Sequence, residues 1–257
     1  MSYQFISFFR EDPILILNIL GCQPSQERIV QLSKELFDIS EDVKRDKKIQ
    51  VIVVTDCGAN SFDMEQDMRN FYIKDNNNNC LKFYSISDPI AGIKQPTIVA
   101  VTGNALAQGL ELVLACDIRI AAKASVFGFP QIKEGLFPLD GGTQRLARLV
   151  GKGMALEMIL TGKKIDVQEA YRIGLVNKIV PKEEVMESAM NIAREIASKA
   201  PIAARYAKEA VYKGMDMTIE QGLHLEADLY FLIHTTKDRI EGINAFQKKR
   251  NPKFKGK

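Results

Sequence analysis

The residues best placed to do chemistry lie at two junctions where an apolar, β-branched run gives way to a turn and then a helical pattern. The first is Val53-Val-Thr-Asp-Cys-Gly-Ala-Asn-Ser-Phe-Asp-Met-Glu-Gln-Asp-Met68, and the second is Ala100-Val-Thr-Gly-Asn-Ala-Leu-Ala-Gln-Gly-Leu-Glu111. The first N–H groups of a helix have no intrahelical acceptor, and the helix dipole adds partial positive charge beside them. Such an end suits an anion, or an oxyanion that develops during a reaction. Gly103, Ala105, Ala107 and Gly109 are small enough to let a ligand approach the backbone at the second junction. Other chemistries lack their signatures. There is no GxGxxG after a strand, no phosphate-loop GxxxxGK followed by Ser or Thr, no HExxH and no GxSxG. The only two histidines, His224 and His234, are spaced so that one helix face cannot carry both, which argues against a His-based metal site or triad.

These junctions need strands and helices to hold them. Residues 14–20 read as a buried strand, and residues 26–44 carry Ile29, Leu32, Leu36, Ile39 and Val43 at helical spacing. Residues 49–55 and 97–102 are apolar on both faces, as strands covered on both sides are. A helix over 108–116 leads to a further strand over 118–122. This alternation predicts parallel pairing with right-handed crossovers. From Gly151 onward the pattern is helical, over 154–160, 167–173, 183–199, 202–213 and 218–235. Asp166 is placed to cap one of these helices, Gly174 to end it, and Pro181 and Pro201 to start others. The polar stretch between Met64 and Pro89 contains Asp75-Asn-Asn-Asn-Asn79, which reads as a surface loop or an active-site flap.

Composition narrows the class. The chain has 257 residues, 46% hydrophobic and 26% charged, which excludes a disordered tail. With 17 glycines and no sustained heptad it is neither collagen-like nor a coiled coil. A formal net charge of +3 is too small to predict a nucleic-acid partner. Cys22, Cys57, Cys80 and Cys116 form no CxxC pair, so reduced thiols in a cytoplasmic protein are expected. The start of the chain does not read as a signal peptide, and residues 14–20 are too short to span a membrane. A soluble α/β protein is the expectation.

One set of motifs goes further. Lys94-Gln-Pro96, then Ala100-Val-Thr-Gly-Asn-Ala-Leu-Ala-Gln-Gly-Leu-Glu-Leu112, Cys116-Asp-Ile118, Phe127-Gly128, Pro130, Gly135-Leu-Phe-Pro138 and Gly141-Gly-Thr-Gln-Arg145 together resemble the enoyl-CoA hydratase/isomerase (crotonase) family. Ala155-Leu-Glu-Met-Ile-Leu-Thr-Gly162, Gly174-Leu-Val-Asn177 and Glu241-Gly-Ile-Asn-Ala-Phe246 continue the resemblance, which is strong from about Pro96 to the end and weaker before Asp56. It implies a crotonase-like ββα spiral core over residues 1–200. Residues 201–257 would form a helical region used in assembly, giving a homotrimer or a dimer of trimers. The implied substrate is an acyl-CoA, with coenzyme A as part of the substrate and no separate cofactor, metal, nucleic-acid or membrane partner.

The resemblance also assigns roles. The thioester oxygen would sit between the backbone N–H groups of Gln66 and Gln108, with Glu111 as the catalytic carboxyl. Gln131 stands where the hydratases carry a second glutamate, and an amide does not transfer protons at neutral pH. The implied reaction is hydration of an enoyl-CoA at a one-glutamate site. The alternatives are decarboxylation, double-bond isomerisation or C–C hydrolysis of an acyl-CoA, or a non-catalytic acyl-CoA-binding trimer. Asp140 is a further catalytic candidate, equally well explained as a helix N-cap. Met64 and Gly109 are implied substrate contacts, and Phe246 and Lys249 match positions near the adenine and phosphates of a neighbouring subunit's ligand. Asp67 is expected to be structural, and Glu65 either alters the pocket or points outward. The family's adenine-binding turn is replaced by Gly21-Cys-Gln-Pro-Ser25, which leaves an acyl-carrier-protein arm as an alternative carrier.

Overall fold

In a computed structural model, which describes residues 3–21, 25–57, 62–67 and 84–257, the β-branched runs of the first half become one six-stranded sheet. The strands are β1 (Ile6–Glu11), β2 (Ile14–Leu20), β3 (Val51–Cys57), β4 (Thr97–Val101), β6 (Ile118–Ala122) and β9 (Lys178–Val180), in the order β1-β2-β3-β4-β6-β9. All neighbours from β2 onward pair in parallel, as the alternation of strand and helix requires. Only β1 is antiparallel, paired with β2 from Ile6 opposite Ile19 to Glu11 opposite Ile14.

Each face of the sheet is covered, which is why its central strands read as largely apolar runs. Ile52, Val54, Val99 and Val101 join Leu32 and Leu36 of helix α1 (Gln26–Arg45) in one core. Val51, Val53, Ile98, Ala100 and Ile120 meet Val185, Ala189 and Ala193 of helix α7 (Val185–Ala197) in another. Full burial of such side chains contributes about 1.5–3 kcal/mol each. At the start of α1, Ser25 is the N-cap, its Oγ accepting the Arg28 N–H at 3.2 Å.

The carboxyl ends of the five parallel strands open toward one side, where α/β folds bind ligands. There the chain makes a second, three-stranded sheet from β5 (Ala105–Leu106), β7 (Val126–Gly128) and β8 (Lys164–Asp166). Helix α2 (Asp88–Ala91) precedes β4, and between the strands of the second sheet lie α3 (Gln108–Leu114), a 3-10 turn (Pro130–Glu134), α4 (Gly142–Val150) and α5 (Lys152–Thr161). Helices α6 (Val167–Arg172), α8 (Pro201–Gly214), α9 (Ile219–Ile233) and α10 (Lys237–Gln247) complete the fold. Asp166 caps α6 through the Glu169 N–H at 2.9 Å, and Gly174 follows with φ 80°, as expected from sequence. Helix α8 is tied to the sheet by Lys208, whose Nζ meets Asp117 Oδ2 at 2.8 Å and the Gln95 carbonyl at 2.9 Å.

The sequence pattern did not anticipate β1, the short strands β5, β7, β8 and β9, or the helices α2 and α10. β1 leaves Phe8 and Phe9 exposed, so it lacks the buried alternation that marks a strand. α4 begins at Gly142 with Gly141 as its N-cap and no side-chain cap, and α10 is amphipathic only weakly. The Asn-rich segment 75–79, the turn at 22–24, Cys22, Cys80 and the turn residues 58–61 lie outside the described residues. Cys116 is buried and unpaired. Among the described residues no helix is long and apolar enough to cross a membrane.

Candidate active site

The two strand-to-helix junctions lie side by side. Asp63 and Leu106 form a parallel bridge, Leu106 N donates to the Phe62 carbonyl at 3.0 Å, and Met64 N donates to the Leu106 carbonyl at 3.3 Å. Gly109 permits this approach. A Cβ added there would stand 1.9 Å from the Phe62 oxygen. The turn into α3 passes through Ala107 at φ 54°, ψ −130°, a conformation that L-residues adopt at a cost and that often marks a functional site. Its N–H donates to the Gly128 carbonyl at 3.1 Å, which anchors the strained residue to β7. Gln108 is then the first residue of α3, with its N–H at a helix start, while Gln66 lies in the helical turn at 65–67. Two helix-start amides are therefore set on adjacent turns.

Asp56 supports this arrangement from the end of β3. Its carboxylate accepts the Thr102 N–H at 3.0 Å, fixing the turn that leaves β4, and burial raises its pKa. Asp67 is fully buried. It accepts the Ser25 N–H at 2.8 Å and pairs with Arg28 NH1 at 2.9 Å, the structural role expected of it. Glu65 pairs with Lys164 Nζ at 2.7 Å on the partly exposed rim, the outward alternative.

Glu111 follows Gln108 on α3 and is 1% exposed. Its Oε1 accepts two backbone donors, Asp140 N–H at 2.7 Å and Gly142 N–H at 2.8 Å. Its Oε2 is buried with no hydrogen-bond partner. Burial pushes the carboxyl up to about 8, aided by the nearby Asp140 charge and opposed by the two backbone N–H bonds. The result is a carboxyl fixed at one oxygen, available at the other, and poised near neutrality for proton transfer. Gly142 is required for this geometry, because a Cβ there would lie 2.9 Å from Glu111 Oε1 and 2.9 Å from Phe129 Cζ.

Gln131, in the 3-10 turn after Phe129, is 4% exposed, and both its Oε1 and Nε2 are buried without partners. A buried amide left open at both ends costs about 1–3 kcal/mol unless something else completes it. With Glu111 Oε2, the two Gln131 atoms are among the buried side-chain polar atoms without a hydrogen-bond partner, and such groups call for a partner such as a ligand or water.

Asp140 does not cap α4; that position belongs to Gly141. Its carboxylate instead takes four donors. Ser85 Oγ donates at 2.5 Å, Ile86 N at 2.8 Å, Ser87 N at 3.0 Å and Gln108 Nε2 at 3.0 Å. Sequence reasoning missed Ser85 and the inward role of the Gln108 side chain, because partners 24 to 55 positions apart leave no local signal. Met64 is fully buried beside the first turn. Phe246 stands 85% exposed on α10, outside the core of this chain, and Lys249 follows it with φ 47°. Among the described residues no group of His, Cys, Asp or Glu is arranged to hold a metal ion.

Comparison with known proteins places this geometry in company. A family model described as enoyl-CoA hydratase/isomerase matches residues 29–257. The chain is 35% identical over 257 residues to a crotonyl-CoA hydratase from Syntrophomonas wolfei, covering 99% of each protein. It is 34% identical to a mitochondrial methylglutaconyl-CoA hydratase from Mus musculus, covering 95% of this chain and 80% of that one. The crystal structure of enoyl-CoA hydratase from Bacillus anthracis superposes with a TM-score of 0.84 at 33% identity, over 99% of this chain and 100% of that chain.

Proposed function

The chain belongs to the enoyl-CoA hydratase/isomerase family, and we propose that it hydrates an enoyl-CoA using Glu111 as its single proton-transferring group. The observation that carries this reading is the state of Glu111: Oε1 locked by two backbone N–H groups, Oε2 buried and unengaged. The thioester oxygen sits between the Gln66 and Gln108 N–H groups, where charge develops as the enolate forms. Glu111 Oε2 removes a proton from water as the water oxygen bonds to the β-carbon, and the π electrons pass to the enolate. The protonated Glu111 then returns that proton to the α-carbon. Water is added in full, and one carboxyl closes the proton balance without a second acid. Gln131 accepts a hydrogen bond from the water and orients it, a task within the reach of an amide.

Asp140 lies outside the proton path in this mechanism, since its oxygens are already shared among four donors. Coenzyme A is the carrier we favour, with Phe246 and Lys249 contributing to its adenine and phosphate site in an assembly. Gly109 and Met64 shape the wall beside the thioester.

The test is hydration of crotonyl-CoA, followed through loss of the conjugated enoyl thioester absorbance. Its pH profile is specific. The base form of Glu111 is required, and burial sets that group at about 8. The expected kcat/KM for hydration rises about tenfold per pH unit below that value and levels off above it. A profile flat from pH 6 to 9 would remove Glu111 from the role of base.

Assembly is a second part of the proposal. Ile219, Leu223 and Tyr230 share one stripe of α9 and are 81%, 56% and 57% exposed. An apolar stripe of this kind marks a protein contact, and we assign it to other copies of the chain, as a trimer or a dimer of trimers. Leu223→Asp is expected to shift light scattering from a particle of three or six chains toward one chain. An unaltered particle mass would show that the stripe is not the contact.

A further inference from the structure

Beyond the proton path, the Asp140 carboxylate and the Gln108 side chain form a buried strap. Asp140 Oδ2 accepts Ile86 N–H, Ser87 N–H and Gln108 Nε2, and Oδ1 accepts Ser85 Oγ. The same Gln108 Nε2 donates to the Tyr84 carbonyl at 2.8 Å. Segment 84–87 is thereby joined at four successive residues to one carboxylate and one carboxamide. Both of these belong to the site. Gln108 is the first residue of α3, the turn that offers its own N–H, and the Asp140 N–H holds Glu111 Oε1 at 2.7 Å. Asp140 is 2% exposed and Gln108 3% exposed, so water does not compete for these bonds. From the other side Arg145 fixes the loop, its NH1 donating to the Asp140 carbonyl at 2.8 Å and its NH2 pairing with Asp88 at 3.0 Å.

We infer that Asp140 and the Gln108 side chain are positioning residues, a hydrogen-bonded strap that holds the second oxyanion turn and Glu111 in register with segment 84–87. The strap works because each of its two residues serves two masters: Gln108 by backbone and side chain, Asp140 by backbone and side chain. A displacement of segment 84–87 must move the oxyanion turn or the Glu111 clamp, and reaction rates are sensitive to such displacements. A misplacement of about 1 Å can cost about 10²-fold in rate. The kinetic consequence rests on the proposed hydration, whereas the strap itself rests on the hydrogen bonds alone.

The experiment therefore has two arms, both on the full-length protein. In the first, hydrogen exchange is read at the amides of Ile86 and Ser87. Both are expected to be protected in the wild type and to lose protection in Asp140→Ala. Equal exchange in the two proteins would overturn the strap, whether or not the enzyme turns over crotonyl-CoA. In the second arm, kcat and KM for crotonyl-CoA are measured per folded enzyme. Asp140→Ala is expected to lower kcat about 10²-fold with KM within about threefold. Asp140→Asn is expected to restore most of the loss, since its oxygen can take the three N–H donors while its amide donates to Ser85 Oγ. Gln108→Ala keeps the backbone N–H and is expected to lose about tenfold. The double variant Asp140→Ala/Gln108→Ala is expected to be no worse than Asp140→Ala alone, because both cut one strap. Losses that simply multiply, or a wild-type kcat in Asp140→Ala, would overturn the positioning role. If Asp140→Ala does not fold, Ser85→Ala and Gln108→Ala each cut part of the strap and are expected to move both readouts in the same direction. Their kcat is expected to fall about tenfold, with protection at Ile86 and Ser87 reduced. No change in either readout would overturn the strap. A wild type without hydratase activity would remove the functional reading, and the exchange arm would still decide the strap.

Discussion

Glu111→Gln is expected to lower kcat for hydration by about 10⁴-fold, the upper end of what general acid–base catalysis supplies. The large value follows from economy. In a site with two acids the loss of one leaves the other, but in the proposed mechanism the same carboxyl takes the proton from water and returns it to the α-carbon. The variant should otherwise be benign. A Gln Oε1 can keep the Asp140 and Gly142 N–H bonds, and its Nε2 replaces an oxygen that has no hydrogen-bond partner. Thermal unfolding provides the second readout. Burial raises the folded-state pKa of Glu111 to about 8, well above an ordinary carboxylate. The protonated form is thus the one the fold favours. Its stability contribution is intact below the ordinary carboxylate range and is lost as pH rises toward about 8. The melting temperature of Glu111→Gln relative to wild type is therefore expected to climb between pH 5 and pH 8 and then level. A pH-independent difference would mean that Glu111 is not a buried, uncharged acid at neutrality, and near-wild-type turnover would end the one-carboxyl mechanism.

How much of this could be seen in the sequence depends on how far apart the partners are. The parallel strands at 51–57, 97–101 and 118–122 announce themselves because both faces are buried, so apolar residues dominate them and polar ones such as Asp56 and Arg119 are few. The second junction is legible for a related reason: a strand, small residues and a helix start are all local. The motif around Glu111 and the departure at Gln131 are legible as a resemblance. The rest is long-range. Ser85 and Asp140 meet only because segment 84–87 folds back over α3, and nothing about Ser85 by itself signals it. Asp140 illustrates the limit: before Gly-Gly and a helical run it reads as an N-cap, yet the cap is Gly141 and the carboxylate turns inward to Ser85, Ile86 and Ser87. β1 was illegible for the opposite reason, since a strand with Phe8 and Phe9 exposed carries no burial pattern to read.

Gly109→Ala is expected to be the most damaging single methyl in the protein. Its Cβ would lie 1.9 Å from the Phe62 oxygen, 2.6 Å from the Phe62 carbonyl carbon and 3.0 Å from its Cα. None of these atoms belongs to a side chain that could swing away. Phe62 is held by the Leu106 N–H and by the Asp63–Leu106 bridge, so relief requires the two junctions to part by on the order of an ångström. Overpacking of this kind costs about 1–3 kcal/mol, and each hydrogen bond lost between the turns adds about 1 kcal/mol. In a chain of this size each kcal/mol lowers the melting temperature by about 2–4 °C. The catalytic loss is expected to exceed what that instability explains, because the separation carries the Gln66 and Gln108 N–H groups apart. One misplaced oxyanion donor costs about 10²–10³-fold in kcat. Gly103→Ala provides the contrast. Its Cβ would meet only Asp56 Oδ2 at 3.7 Å, an ordinary contact, and both stability and kcat are expected to stay close to wild type. If the two alanines behave alike, the close approach at Gly109 is not what sets the distance between the donors. If only Gly109→Ala fails, the oxyanion hole is built by the absence of one Cβ, which lets two helix starts from separate parts of the chain stand near enough to share a single oxygen.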